Sequence, residues 1–280
     1  MAADRNCPEM LAAHFAAGRH LCVGLDPDPG RIPDPVAPGA EPAERVVAFC
    51  RAIVEATAGH ACAYKPNSAF FEALGEEGFR ALRRTVEAVR ELAPEAVVVL
   101  DAKRGDIGST NAGYAKAAFD LLGADAITVH PYLGSEAMRP FLERAEKTVF
   151  VLARTSNPGA GQFQDLLVAQ RQPLFLHVAR TAMTDWNDNG NCGLVVGATY
   201  PDQLRDVLEE VLPSMPILIP GVGAQGGALR EVVAAHREAG SDAYLISASR
   251  SILYAFEEGA PLAEAAAYEA AALDKAIRDA

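Results

Sequence analysis

The sequence predicts a single-domain (β/α)8 barrel, and three observations carry that expectation. Eight short apolar runs recur along the chain, amphipathic stretches lie between them, and 280 residues is close to the roughly 250 that one such barrel takes. Alternating strands and helices also allow a doubly wound open sheet, but no G-x-G-x-x-G motif follows the first run to support one. No low-complexity segment or linker interrupts the pattern, so residues 1–280 read as one domain.

The elements follow in order. The first run, Leu21–Asp26, leads into a proline-rich crossing from Pro27 to Pro42, longer than the usual connection and expected to pack as irregular surface. Ala43–Gly59 reads as an amphipathic helix, Ala61–Pro66 as the second strand and Glu76–Leu92 as the next helix. In the third run, Ala96–Lys103, the consecutive residues Val97 to Leu100 have the character of a strand buried on both faces. Strand side chains alternate, so Asp101 and Lys103 point to one side and Ala102 to the other. Gly105 breaks this strand, Asp106 falls in the loop after it, and Ser109-Thr110 precede an Ala-rich helix. Ala126–His130 is the fourth run, followed by a helix over Leu133–Glu146. Val149–Thr155 is the fifth, and after it a long connection runs from Ser156 to about Gln172, with Pro158, Gly159 and Gly161 at its start. It leaves the face where barrel active sites lie, a position that favours a mobile lid at about 156–172 over the alternative of a passive insertion. Cys192–Ala198 and helix Gln203–Leu212, then Pro216–Gly221 and helix Ala228–Ala239, lead to the last run, Ala243–Ser249.

Composition excludes several function classes. The net charge of −12 argues against a nucleic-acid surface, so an anionic ligand has to be held by a few local donors. The longest charge-free run, Val211 to Leu229, contains three prolines and several glycines and is no membrane-spanning helix. The N-terminal residues MAADRNCPEM have no apolar core of the secretory kind. Five cysteines without a C-x-x-C pair fit a reduced, cytoplasmic setting. Of 25 basic residues only five are lysines, and two of these, Lys65 and Lys103, lie at strand ends.

Residues at the carboxyl ends of barrel strands converge on one mouth. Those ends supply Asp26, Lys65, Asp101, Lys103, His130 and Ser156. A Lys65–Asp101–Lys103 cluster with Asp106 near it alternates opposite charges, which can fix a lysine as an ammonium acid while holding a carboxylate beside a substrate. Taken alone, the Asp101–Lys103 pair reads equally well as a structural ion pair. Cationic neighbours compete for Asp101 and Asp106, so no metal is expected there. His130 precedes Pro131 without a second His or Cys at ligand spacing and reads as structural. The second constellation is a glycine-rich turn, Pro220-Gly221-Val222-Gly223-Ala224-Gln225-Gly226-Gly227, beside Ser249-Arg250-Ser251 at the end of the last run. Glycine loops alone are weak evidence, but with Arg250 they form a phosphate cradle where barrels often bind phosphate, after strands seven and eight.

Over nearly its whole length the chain resembles the orotidine 5′-phosphate decarboxylases. The resemblance rests on Gly24-Leu25-Asp26-Pro27, Tyr64-Lys65-Pro66-Asn67, Leu100-Asp101-Ala102-Lys103-Arg104-Gly105-Asp106-Ile107, Thr155-Ser156-Asn157-Pro158-Gly159, Pro220-Gly221-Val222-Gly223-Ala224-Gln225 and Ser249-Arg250-Ser251. The run Lys65 to Glu72 and the Ser156-Asn157-Pro158-Gly159 start of the lid look like the longer bacterial branch. The resemblance implies that Lys103 protonates C6 of the pyrimidine as CO2 leaves and that Asp101 faces the substrate carboxylate. It implies that Lys65 and Asp106 orient Lys103 and the ribose hydroxyls and that Asp26 contacts the ribose. Ser156 would bond the pyrimidine edge, and Gln225 and Arg250 the phosphate, with Pro220 and Ser249 in the same binding segments. It further implies a homodimer in which Asp106, Ile107 and Thr110 reach the neighbouring site, and it implies no cofactor. The D-x-K-x-x-D core is shared with related sugar-phosphate barrels, so a Mg2+-dependent 3-keto-hexulose-phosphate decarboxylase or synthase and a non-catalytic phosphate-binding barrel stand as alternatives. The Lys65-Pro66-Asn67 run and the long lid speak against the first, and the intact charge array against the second.

Overall fold

In a computed structural model of the chain, eight parallel strands close into a barrel in sequence order, with β8 (Tyr244–Ala248) paired to β1 (Leu21–Leu25). The structure describes residues 5–280 except 35, 169–170, 223–226 and 259, and the side chains of 227 and 258 are likewise outside the description. The intervening strands are β2 (Ala63–Pro66), β3 (Val97–Arg104), β4 (Ala126–Val129), β5 (Thr148–Arg154), β6 (Cys192–Val196) and β7 (Ile217–Pro220). Each lies within two residues of its expected bounds.

Helices cover the outside: α1 (Cys7–Ala16), α2 (Pro42–Thr57), α3 (Ser68–Glu72), α4 (Gly78–Leu92), α5 (Gly108–Ala115), α6 (Gly134–Leu142), α7 (Gly161–Gln164), α8 (Leu174–Thr184), α9 (Pro201–Glu210), α10 (Gly227–Glu238), α11 (Arg250–Leu253) and α12 (Leu262–Asp279). The helix expected over Leu133–Glu146 stops at Leu142, because Arg144 N–H closes a tighter turn onto the Phe141 carbonyl at 3.2 Å. Glu76–Leu92 begins as a helix only at Gly78, after one 3-10 turn. The 156–172 connection holds α7 and a short antiparallel bridge between Leu167 and Pro173, so it is partly structured.

Two apolar clusters divide the core by strand parity. Leu21, Val23 and Leu25 of β1, Val98 and Leu100 of β3, and Tyr244 and Ile246 of β8 face the helices. Cys22, Ala63, Val97, Val99, Ala126, Phe150, Val195, Leu218 and Leu245 fill the barrel, and Leu11 and Phe15 of α1 close it from below. Gly193 of β6 has no alternative there: a Cβ would sit 2.7 Å from the Phe150 ring and from the Pro216 carbonyl. Asp125, at the entrance to β4, ties the bottom together. It accepts from Arg5 at 3.0 Å, Arg90 at 2.8 Å and Val98 N–H at 2.9 Å.

Candidate active site

Counting upward by twos from the interior residues reaches the polar mouth. Cys22 leads through Gly24 to Asp26, Ala63 to Lys65, Val99 to Asp101 and Lys103, Ala126 to Thr128, Phe150 to Arg154, Leu218 to Pro220, and Leu245 to Ser247 and Ser249. The parity that packs the barrel thus delivers these side chains to one opening. A cleft of about 330 Å³ lies there, lined by Asp26, Lys65, Asn67, Asp101, Pro220, Gly221, Ser247, Ser249 and Arg250 among others.

Lys65 and Asp101 are buried, with Lys65 Nζ 2.9 Å from Asp101 Oδ2, and Lys103 Nζ lies 2.6 Å from Asp101 Oδ1. Burial alone pushes the Lys65 ammonium down, but the carboxylates of Asp101 and Asp26 outweigh it and lift the group to about 12. Burial likewise pushes Asp101 up, and the two ammonium groups overcome it, holding the carboxyl at about 2. Lys65 and Asp101 are therefore both charged across the neutral range. The Lys103 side chain stays half exposed, the one member of the array open at the mouth.

Plain strand alternation puts Lys103 on this side but does not give its conformation. Between the pairs Leu100–Ile127 and Arg104–Val129, four steps of β3 match two steps of β4, so β3 bulges. Lys103 sits inside the bulge at φ 45°, a left-handed conformation that costs a non-glycine residue about 1–3 kcal/mol. Thr128 fills the gap: its Oγ1 accepts from Lys103 N–H at 3.0 Å and donates to Asp101 Oδ1 at 2.9 Å.

On the far side of the cleft, Ser249 Oγ donates to Asp26 Oδ2. Gly24 permits this approach, since a Cβ there would collide with the Ser249 side chain. Asp26 Oδ1 is buried without a hydrogen-bond partner among the described residues, so it can accept from a ligand hydroxyl. Arg250 opens α11 at the cleft edge and is exposed. Ser156 lies outside the lining but packs beneath it, 3.6 Å from where a Cβ of Gly221 would stand, and Gly221 itself has φ 93°. Gln225 lies outside the described residues, as do the neighbouring glycines 223 and 226.

Asp106 is not part of the array. Among the described residues its carboxylate accepts only from Ile107 N–H, at 2.7 Å, while its own N–H and carbonyl are held by Asn111 at 3.0 and 2.7 Å. Ile107 is 59% exposed, and Thr110 lies in the first turn of α5 with its N–H on the Ile107 carbonyl. His130 Nε2 is 3.0 Å from the Gly105 carbonyl and braces this loop, as its structural reading anticipated.

Besides Thr128, one mouth residue escaped the sequence reading. Arg154 is 2% exposed, its Nε is 3.0 Å from Asp165 and its guanidinium stacks 3.9 Å over Tyr200. Gln164 Oε1 accepts from Thr155 N–H at 2.8 Å. Together they tie the base of the 156–172 segment to β5 and β6. The signal was available in the parity Phe150-x-Leu152-x-Arg154, which puts an arginine inside the barrel.

Among the described residues no group of three or more His, Cys, Asp or Glu side chains is arranged to hold a metal ion. A family model described as "Orotidine 5'-phosphate decarboxylase / HUMPS family" matches residues 19–268. A protein named orotidine 5′-phosphate decarboxylase from Herpetosiphon aurantiacus is 52% identical over 246 residues, 88% of either chain. One of the same name from Thermomicrobium roseum is 51% identical over 249 residues, covering 88% of this chain and 85% of its own. Among solved structures, the OMP decarboxylase of Leishmania donovani superposes with a TM-score of 0.82 at 39% identity, over 98% of this chain and 99% of that one.

Proposed function

The chain belongs to the orotidine 5′-phosphate decarboxylase family, and on that premise we propose that the cleft at the barrel mouth is where it does its chemistry. It is a carboxy-lyase that converts orotidine 5′-phosphate to UMP and CO2, in pyrimidine nucleotide synthesis. The observation that carries the assignment of the cleft is the Lys65–Asp101–Lys103 array, charged and partly buried at the end where Arg250 and the β7–β8 turns can take a phosphate.

The bond from C6 of the pyrimidine to the carboxylate breaks, CO2 departs, and the electron pair stays on an sp2 carbon that the ring cannot convert to an enolate. The Lys103 ammonium beside that carbon stabilises the developing charge and then gives it a proton. Asp101, itself paired with Lys65, holds Lys103 aimed. Asp101 also stands where the substrate carboxylate has to lie. Asp26 takes a ribose hydroxyl, with Ser249 orienting it through the bond to Oδ2. Arg250, Pro220 and Gln225 take the phosphate, and Ser156 the pyrimidine edge. Phosphate binding far from C6 supplies energy that can hold the 156–172 lid closed over the charges.

The working unit in this reading is a homodimer, with Asp106, Ile107 and Thr110 of each chain completing the other's cleft. In support, the Asp106 carboxylate contacts no member of its own array, and Ile107 and Tyr132, in the loops after β3 and β4, are 59% and 89% exposed. No helix among the described residues is long and apolar enough to cross a membrane. Five free, buried cysteines fit the cytoplasm.

The direct experiment follows the loss of orotidine 5′-phosphate absorbance and CO2 release by the purified chain, with and without EDTA. Turnover unaffected by EDTA is expected. No turnover overturns the reading, and turnover that EDTA abolishes points to a metal-dependent reaction instead. Subunit sharing is tested by mixing Lys103→Ala and Asp106→Ala chains, each inactive alone. Random exchange should restore roughly a quarter of wild-type activity, because half the dimers are mixed and half their sites are whole. No recovery, with exchange verified by mass spectrometry, would leave Asp106 serving its own barrel.

A further inference from the structure

We propose that Thr128 is a positioning residue for decarboxylation: one hydroxyl fixes both the backbone of Lys103 and the carboxylate of Asp101. The assignment rests on the functional reading above and adds to it a group that touches no substrate.

The register of β3 against β4 creates the need. In a regular parallel ladder Lys103, with the parity of Val97, would give its N–H to a carbonyl on the β2 side, but the bulge between Leu100 and Arg104 breaks the alternation and removes that partner. Thr128 Oγ1 stands in for it at 3.0 Å. Having accepted there, the hydroxyl has its single proton left, and it gives that proton to Asp101 Oδ1 at 2.9 Å. Asp101 Oδ1 is also the oxygen that Lys103 Nζ contacts, so one Thr side chain spans both ends of the same lysine. Thr128 is 1% exposed, interior by parity and packed at the layer just under the cleft, so its rotamer has little freedom. The chain has reason to need this brace. Lys103 at φ 45° relaxes to an ordinary conformation unless its surroundings hold it, and a relaxed backbone would carry Nζ off Asp101. The barrel meanwhile stays closed through the other pairs of β4, with Thr128 in register with Phe150 of β5. Removing the hydroxyl therefore disturbs the aim of Lys103 more than the fold. The contacts assigned to ribose and phosphate lie on β1, β7 and β8, across the cleft, and should be spared.

The test compares wild type, Thr128→Val, Thr128→Ala and Thr128→Ser in the full-length protein. It reads kcat for orotidine 5′-phosphate, UMP affinity by calorimetry, and thermal unfolding. Thr128→Val and Thr128→Ala should lower kcat about 10- to 100-fold, the range for losing hydrogen bonds to charged groups. UMP affinity should stay near wild type, and Thr128→Ser, which keeps the hydroxyl, should restore most of kcat. Wild-type kcat in the Val variant overturns the proposal. So does a parallel loss of kcat and UMP binding in both hydroxyl-free variants, or a folded Ser variant as slow as Val, since each marks Thr128 as packing only. Thr128→Ala carries the comparison if Val does not fold. An inactive wild-type chain would instead overturn the functional reading on which this rests.

Discussion

A lysine at φ 45° between a buried carboxylate and open water is the most specialised feature of the mouth. Alternation in Leu100-Asp101-Ala102-Lys103 was enough to say that Asp101 and Lys103 share a side. It could not say that a bulge carries Lys103 there, because register between two strands is set by packing on both faces rather than by either sequence alone. Thr128 was missed for the same reason. A threonine in an apolar strand is unremarked until its partner strand is known. Arg250 was legible from its place after the eighth run, and its role is separable from the chemistry. Arg250→Ala should raise KM for orotidine 5′-phosphate roughly 100-fold, as expected for losing a charge-assisted contact worth a few kcal/mol. Turnover of the nucleoside lacking phosphate should hardly change. Equal losses with both substrates would mean that Arg250 supports the reacting centre or the fold.

Strands were easier to read than the helices around them. Each strand is a short apolar run buried on both faces, and that pattern survives in any register. Helices α1, α3, α8 and α12 were not singled out. Among them α3 is one turn capped by the Asn67 side chain onto Ala69 N–H, and α1 is too short and too evenly apolar to show a clear face. Yet α1 plugs the barrel, and Arg5 just before it bonds Asp125 together with Arg90. Burial pushes the Asp125 carboxyl up, and its bonds to Arg5 and Arg90 more than reverse this, holding it below the ordinary range. Asp125→Asn should destabilise the protein by about 3 kcal/mol, the scale for breaking a buried ion pair. Because Asp125 lies at the opposite end of the barrel, kcat of the folded variant should be unchanged. An unaltered urea midpoint would show that this latch contributes nothing.

For the whole molecule, closure of eight strands in sequence order means that one parity governs both core and cleft, which is why a sequence pattern reached most of the residues that line the cleft. The 156–172 segment and the proposed homodimer depend on contacts that periodicity does not encode. Closure also buries histidines where the charged form is disfavoured. His20 stacks 4.0 Å from Tyr244, with His236 4.6 Å from the same ring. Burial, aided by His20, drives His236 down to about 3, and burial lowers His20 and His14 as well. Above the ordinary value of 6.5 these rings are neutral in both folded and unfolded chains. As pH falls below it, the unfolded chain takes up protons that the folded one refuses, so stability declines toward pH 3. His236 alone should remove about 2 kcal/mol between pH 6.5 and 5. Thermal melts across that window should show the decline, and His236→Phe should shrink it. A flat wild-type profile would contradict the neutral-histidine account. The central claim, that the Lys103 ammonium within its charge array drives decarboxylation, is tested most directly by kcat of Lys103→Ala, with UMP binding measured alongside to show an intact cleft. The account predicts turnover lost and UMP still bound. Turnover within about tenfold of wild type would contradict it and assign the proton to another group.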